Sequence, residues 1–349
     1  MARVRQYLDI DVVTAAKARI HHIFDLHDSV AVMFSGGKDS LAALHLTKQV
    51  AEERGLDKVD VVFRDEELIP DDVIAFVDSY RVMPWVRMLY FAVPLASTKF
   101  ILGRSLEYVQ WDPKREHLRP VPAHAITLAA GDARVFDQYT MDAFTAERFR
   151  GKVAFITGIR AAESLMRFRA SVNKLNDSYI NASSAKNVAL CKPLYDWEEN
   201  DIFKFFMDRG IRYCQIYDAQ HLAGQQLRVS TPLHAEQAKR LTPIKAINPQ
   251  FYDRLMQLFP EALVQERYWR DLDQAGLRAK YGETLDGVRS YILEHLDDHQ
   301  QEKALARLAG IVKRAAKAPE AYPPPHVLRY FVSGVFKREL LPLGKKQQR

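Results

Sequence analysis

The sequence predicts an α/β protein with a doubly wound, mostly parallel sheet and a helical C-terminal region. Short apolar runs alternate with amphipathic helical patterns through the first two hundred residues or so, as in chains that build parallel sheets. A glycine-rich turn at 35–40 joins one of these runs to a helical pattern, and strand patterns fade beyond about residue 220. Together these features favour a nucleotide-binding type of sheet followed by helices.

The elements of the first half follow from periodicity and from end signals. Asp11 is a plausible N-cap for the first helix, and Gly55 is placed to end the second. In chain order the patterns predict a helix over 11–27, a strand over 30–34, a helix over 41–54, a strand over 59–63, a helix over 71–83 and a strand over 88–93. Residues 95–125 show little periodicity but several aromatic side chains, so we expect a substrate-facing excursion there.

The second half begins with the same alternation and then changes character. The patterns predict a helix over 137–149, strands over 153–157 and 190–194, a helix that ends at Gly210, three or four helices over 235–315, and a short helix after the prolines at 323–325. Because 349 residues exceed the usual size of one domain, we expect a nucleotide-binding domain over 1–225 and a helical region over 226–349.

Composition limits the classes of protein. The net charge of +6 permits a polyanionic partner such as nucleic acid without requiring one. Two cysteines, Cys191 and Cys214, cannot form a disulfide framework or a cysteine-rich metal site. No apolar stretch approaches the ~20 residues of a membrane span, and the N-terminus lacks the apolar core of a secretory signal, so we expect a cytoplasmic protein without membrane contact. The oligomeric state stays open, with a homodimer as one candidate.

The segment Ser35-Gly36-Gly37-Lys38-Asp39-Ser40 has the features of a phosphate-binding turn. Glycines let the backbone approach an anion closely, and the new helix points free N–H groups at it. Lysine adds a charge and the serines add hydroxyl donors. The spacing fits neither a Walker A loop nor a dinucleotide fingerprint. A purely structural strand-to-helix turn is the alternative.

Three ordered motifs carry a family resemblance. The segment 35–40 resembles the signature of the PP-loop ATP pyrophosphatases. Thr157-Gly158-Ile159-Arg160 and the Pro-Leu-Tyr-Asp-Trp segment at 193–197 are similar to segments of the phosphoadenosine phosphosulfate (PAPS) reductase branch. The segments 111–113 and 223–229 resemble a subgroup related to immunoglobulin-binding regulators and to phage or mobile-element proteins. The resemblance implies an adenine nucleotide alpha hydrolase-like, Rossmann-like fold.

The resemblance and the chemistry together suggest site residues. We expect Lys38, Asp39 and Arg160 to act in catalysis, and Asp39 either to hold Mg²⁺ or to cap its helix. Asp65 would approach the metal or the ribose, whereas Glu66 and Glu67 are expected to be solvated. The nucleotide-binding set is Ser35, Gly36, Gly37, Lys38, Asp39, Ser40, Asp65, Gly158, Arg160 and Arg167. Arg167 and Arg169 would bind a second phosphate or an acidic substrate, or else pair with Glu163 and Asp177 at the surface.

Three functions remain open. The first is an enzyme that binds ATP and Mg²⁺, releases pyrophosphate and adenylates an acceptor, as related enzymes do in nucleic-acid modification. The second is a nucleotide-binding regulatory subunit that works with a ParB-like partner or DNA. The third is a sulfonucleotide reductase, which the resemblance makes the least favoured because its C-terminal cysteine motif is absent after Cys214.

Overall fold

The computed structural model describes residues 8–101, 104–164, 167–168, 179–223, 227, 229, 232–233, 241–268, 274–296, 298–332 and 339–344. The chain forms two compact units: residues 1–97, 109–231 and 246–251 make the first, and residues 98–108, 232–245 and 252–349 the second. The units therefore alternate along the chain, and the boundary predicted at residue 225 stays a prediction.

The first unit is built on a six-stranded sheet, which confirms the predicted α/β fold. Its strands, in chain order, are β1 (Ser29–Met33), β2 (Val59–Arg64), β3 (Val86–Phe91), β6 (Val153–Ile156), β7 (Ile180–Ala182) and β8 (Val188–Cys191). In space the order is β3-β2-β1-β6-β8-β7, and every described pairing is parallel except that of β7 with β8. The strand order thus reverses direction at β1, as in doubly wound sheets.

Helices cover both faces of this sheet. They are α1 (Val12–Leu26), α2 (Lys38–Glu53), α3 (Asp71–Arg81), α4 (Gln138–Ala146), α5 (Glu199–Arg209) and α6 (Ile216–Leu222). Successive residues of β1 point to opposite faces of the sheet. Val32 packs among residues of α1, α2 and α3 on one face, and Ala31 packs among residues of α4 on the other. The predicted end signals are present: the Asp11 side chain accepts from the amides of Val13 and Thr14, and Gly210 ends α5 with a φ of 61°.

The sheet order sets the place of the predicted phosphate turn. β1 and β6 are parallel neighbours, with Val32 beside Ile156, so the segments that follow them leave the same edge of the sheet. One segment is the turn at 35–37, which leads into α2, and the other carries Gly158 and Arg160. A topological switch point of this kind is where open α/β sheets bind ligands. The fold therefore brings together two motifs more than a hundred residues apart in sequence.

The region after β2 contains two strands that the sequence patterns did not predict, and one expectation for this region is wrong; a substrate-facing role for 95–125 stays a prediction. Residues 95–125 contain two paired strands, β4 (Leu95–Ile101) and β5 (Arg104–Gln110), whose mutual hydrogen bonding an apolar-periodicity search does not detect. Glu67 is fully buried rather than solvated, because Arg115 pairs with its carboxylate and the amides of Trp111 and Leu118 donate to it. Partners 44–51 residues away in the chain thus stabilise a charge that looked like a loop residue.

Beyond residue 240 the described part of the second unit consists mostly of helices. The helices here, two of which (α7 and α8) include residues of the first unit, are α7 (Leu241–Ile247), α8 (Pro249–Leu258), α9 (Glu261–Tyr268), α10 (Gln274–Tyr281), α11 (Leu285–His295), α12 (Asp298–Ala315) and α13 (Pro324–Val332). The prediction of three or four helices over 235–315 was too low, since prolines at 249 and 260 divide what reads as a continuous apolar pattern. None of the helices in the described part of the chain combines the length and apolar character needed to span a bilayer.

Candidate functional site

The turn after β1 is shaped so that only glycine fits at position 36. The amide of Phe34 donates to the carbonyl of Val62 at 2.9 Å, which holds the turn against β2. Gly36 has a φ of +75°, and a Cβ there would lie 2.9 Å from a methyl carbon of Val73 and from one of Val77. Both the left-handed backbone and the contact with α3 exclude a side chain. The turn is therefore pressed closely between β1 and α3.

The hydroxyl groups of Ser35 and Ser40 stabilise the turn through contacts within it. Ser40 Oγ donates to the carbonyl of Gly37 at 2.9 Å, and the amide of Ser35 donates to Ser40 Oγ at 3.1 Å. The two serine oxygens also lie 3.1 Å apart. These bonds leave the amides of Gly36, Asp39 and Ser40 without a hydrogen-bond partner among the residues that the structure describes. Free amides at a helix N-terminus are the donors that bind anions.

Lys38 places a positive charge beside these amides. Its side chain is buried, and its Nζ lies 3.3 Å from each of three oxygens: Asp39 Oδ2, Glu199 Oε2 and the carbonyl of Leu227. The ammonium group also lies 5.5 Å from the ring centre of Tyr217. Glu199 is half exposed at the start of α5, so one of the three oxygens around the ammonium group belongs to a side chain that is open to solvent.

Arg160 reaches the same place from β6. Its Nε lies 2.5 Å from Asp39 Oδ1, and the guanidinium is buried. The lack of a side chain at Gly158 lets the segment after β6 lie close to the start of α2. A Cβ at this position would lie 2.4 Å from the carbonyl carbon of Asp39 and 2.5 Å from the amide nitrogen of Ser40. The segment after β6 therefore packs directly on the first turn of α2. Asp39 pairs with the Nε atom of Arg160. The two terminal nitrogens of the guanidinium, Nη1 and Nη2, are therefore not the atoms that form this ion pair.

Asp39 is the counter-ion of both cations. Its two carboxylate oxygens face Arg160 and Lys38, and the N-cap position of α2 belongs to Gly37, so the helix-cap interpretation of Asp39 is wrong. In the described residues no three histidine, cysteine, aspartate or glutamate side chains cluster as a metal site. A Mg²⁺ ion bound through one carboxylate takes its remaining ligands from phosphates and water. Both carboxylate oxygens of Asp39 face cations here, so a magnesium-binding role for Asp39 stays a prediction.

The remaining predicted residues are engaged elsewhere. Asp65 is buried at the end of β2, where it accepts from Tyr90 Oη at 2.7 Å and from the Glu67 amide at 2.8 Å and pairs with Arg119. Arg167 pairs with Glu163 at the surface. These are the contacts of structural ion pairs, and a nucleotide-binding role for either residue stays a prediction. Arg169 and Asp177 lie outside the described residues.

Sequence reasoning missed two side chains of this edge. Glu66, two residues after β2, is half buried, and burial and, to a smaller extent, the charge of Asp65 raise its pKa to about 7. Tyr217, on α6, is buried and accepts a hydrogen bond from the Lys38 amide at 2.9 Å. Neither lies in a recognisable motif. Only the run of acidic residues at 65–67 could have drawn attention to Glu66, and nothing in the sequence marks Tyr217.

Neither cysteine is placed for thiol chemistry. Cys191 and Cys214 are both buried, and burial raises the pKa of the Cys191 thiol to about 12 and raises that of the Cys214 thiol as well. A thiol attacks as its thiolate, so a raised pKa makes each group inert at neutral pH. This geometry agrees with the absence of a reductase-type cysteine motif from the sequence.

Comparison with known proteins supports the resemblance over part of the chain. Residues 140–256 match the family model of the phosphoadenosine phosphosulfate reductase domain. The match includes Gly158, Arg160 and Tyr217 and leaves the phosphate turn outside it. The predicted resemblance to the PAPS reductase branch is thereby confirmed for that segment. The chain is also 28% identical over 330 residues to "Uncharacterized protein YbdN" of Escherichia coli (strain K12), covering 89% of this chain and 78% of that protein.

Solved structures give weaker likenesses. Candida glabrata FMN adenylyltransferase is 13% identical with a TM-score of 0.40, covering 59% of this chain and 57% of the other, so the match takes in less than two thirds of the enzyme's length. A PAPS reductase from Candida auris, solved as a phosphate complex, is 12% identical with a TM-score of 0.36, covering 62% and 90%. At TM-scores below 0.5, neither likeness supports a statement about function.

Proposed function

We propose that this chain binds ATP, or a related adenine nucleotide, at the turn 35–40 and cleaves it to AMP and pyrophosphate while adenylating an acceptor. One observation carries the proposal. Three amides that have no hydrogen-bond partner among the described residues, those of Gly36, Asp39 and Ser40, lie beside the buried cations Lys38 and Arg160 at the switch point of the sheet. Such a group of donors suits a polyphosphate, whose charges require several donors at once.

The charge arrangement suits pyrophosphate as a leaving group. Cleavage between the α and β phosphates collects negative charge on the β and γ oxygens, and donors fixed there lower the barrier. Asp39 pairs with both Lys38 and Arg160. An incoming phosphate would take over the two cations, and the freed carboxylate would then be available to Mg²⁺, which supplies further charge neutralisation when bound. The exchange couples nucleotide binding to assembly of the metal site.

The structure gives less support to the two other candidate functions, a sulfonucleotide reductase and a regulatory subunit. A reductase needs a nucleophilic thiol, and both cysteines are buried with raised thiol pKa values. No described contact favours a regulatory subunit over an enzyme. The acceptor, a nucleic-acid substrate and a ParB-like partner stay predictions from the sequence.

The test uses ATP labelled at the α phosphate, incubated with the full-length chain and Mg²⁺, with and without cellular RNA or DNA. We expect labelled AMP, free or attached to an acceptor, together with pyrophosphate. ADP as the product would contradict cleavage between the α and β phosphates. The absence of nucleotide uptake at millimolar ATP, measured by calorimetry, would contradict the binding site itself.

A matched pair of lysine variants on α2 localises the effect. Lys38→Met keeps a long side chain over the ring of Tyr217 and removes the charge. Lys48→Met makes the same change where a lysine lies 5.5 Å from the ring centre of Trp85 and pairs with Glu52 at the surface. We expect Lys38→Met to lower ATP affinity by about 10-fold or more, the scale of a lost charge-assisted hydrogen bond. The Lys48→Met variant should match the wild type.

A further inference from the structure

Tyr217 touches the phosphate turn although no motif includes it. Its ring belongs to the core of the first unit, and only 3% of the residue is exposed. Its hydroxyl oxygen accepts from the amide of Lys38 at 2.9 Å and lies 3.2 Å from the position that a Cβ on Gly37 would occupy. The hydroxyl therefore sits directly against the turn, beside the amides that make no described hydrogen bond.

Within the described part of the chain, the proton of the Tyr217 hydroxyl is not used in a hydrogen bond. A tyrosine hydroxyl can accept and donate at the same time. The bond from Lys38 uses it as an acceptor, and no oxygen or nitrogen of the described residues accepts its proton. Burial, more than any other cause, raises the pKa of Tyr217 above its ordinary value, so the proton is retained at neutral pH. A buried donor without an acceptor is unfavourable unless a ligand or water completes it.

Other tyrosines of the first unit show the contrast. The hydroxyl of Tyr213 donates to Asp218 Oδ1 at 2.9 Å, and that of Tyr90 donates to Asp65 Oδ2 at 2.7 Å. Each of these protons is used within the protein. Tyr217 is instead directed at the place where two cations and three amides lie.

We propose that Tyr217 is a nucleotide-binding residue, whose hydroxyl donates to a phosphate oxygen of the bound polyphosphate while it accepts the Lys38 amide. The inference rests on the proposed nucleotide site and adds a donor to it. The hydroxyl adds one hydrogen-bond donor to the amides of the turn. This donor lies at a position that the backbone of the helix N-terminus does not occupy. It also gives α6 a direct part in recognising the phosphates.

The test compares Tyr217→Phe with Tyr213→Phe by calorimetry, using pyrophosphate, ATP and AMP as ligands in the presence of Mg²⁺. Both substitutions keep the ring and remove one hydroxyl. We expect Tyr217→Phe to raise the Kd for pyrophosphate and for ATP by about 10-fold, the loss of one hydrogen bond to a charged group. The Kd for AMP should change far less, because the turn holds the β and γ phosphates. Tyr213→Phe should match the wild type with every ligand.

The outcomes separate this inference from the function it extends. If the wild type takes up neither ATP nor pyrophosphate, the proposed nucleotide site fails, and the role of Tyr217 fails with it. If the wild type binds and Tyr217→Phe binds equally well, only the role of Tyr217 is overturned. Tighter binding by Tyr217→Phe would overturn it too, since the hydroxyl would then compete with phosphate for the Lys38 amide. If Tyr217→Phe lost affinity for AMP as much as for ATP, the effect would be structural and the role of Tyr217 would be overturned. Circular dichroism and thermal unfolding of both variants check the fold.

Discussion

Replacing Gly158 by alanine tests whether close packing of two backbones positions the arginine of this site. The new Cβ would lie 2.4 Å from the carbonyl carbon and 2.6 Å from the carbonyl oxygen of Asp39, and 2.5 Å from the amide nitrogen of Ser40. All three are backbone atoms at the start of α2, so no side chain can rotate away. The segment after β6 and the helix must separate instead.

The size of that separation follows from the distances. An ordinary van der Waals contact begins at 3.4 Å, so the 2.4 Å contact must lengthen by about 1 Å. Overpacking of this kind costs about 1–3 kcal/mol, and we expect the upper part of that range because backbone must move. The same shift would carry Arg160 away from Asp39, which it now meets at 2.5 Å. For the proposed reaction, a 1 Å displacement of Arg160 is expected to lower turnover by as much as about 10²-fold.

The assays are urea unfolding and nucleotide binding, each compared with a Gly310→Ala control. Gly310 lies in α12 with open space around its Cβ position and no positive φ, so alanine there should leave nucleotide affinity unchanged and stabilise the helix by up to about 1 kcal/mol. We expect Gly158→Ala to unfold at lower urea and to bind ATP more weakly. An unchanged unfolding midpoint together with unchanged affinity would refute the packing argument.

Two further predictions concern the acidic segment after β2. Glu67→Gln should lower the free energy of unfolding by about 3 kcal/mol because it removes the buried carboxylate that neutralises Arg115, whereas Glu163→Gln, at the more exposed pair with Arg167, should change it by less than about 1 kcal/mol. Similar urea midpoints for the two variants would contradict this. Between pH 4.5 and 7 the folded chain keeps a proton on Glu66 that the unfolded chain has lost, so this group makes stability fall as pH rises through that window, by up to about 3 kcal/mol. Glu66→Gln should therefore match the wild type at pH 4 and exceed it at pH 8, and parallel pH profiles of the two proteins in urea unfolding would show the assignment of Glu66 to be wrong.

The first motif could be predicted because its chemistry is local. A strand that meets two glycines and then a helix has only a few backbone paths, and Gly36 follows the one in which a positive φ is needed. The helix cap at Asp11 and the helix end at Gly210 are local in the same sense. Each depends on side chains within a few residues, so periodicity and end signals were sufficient.

The partners of the charged residues could not be predicted in this way. The carboxylate of Glu67 meets an arginine 48 residues away, and the Lys38 amide meets a hydroxyl 179 residues away. From the sequence alone, a charged residue in a polar stretch is predicted to be solvated, because its partner is known only once the fold is known. The same holds for Asp65, whose ion pair with Arg119 the sequence did not indicate.

By itself, the sequence determined the class of sheet, the glycine turn that joins a strand to a helix at 35–40, and the presence of a glycine and an arginine after a later strand. Only the tertiary structure decided that Gly158 packs on the start of α2, that Asp39 joins Lys38 to Arg160, and that Tyr217 faces the turn. The physical reason is the range of the interactions. Backbone conformation and helix ends depend on near neighbours, whereas the pairing of buried charges and donors depends on which distant segments the fold brings into contact.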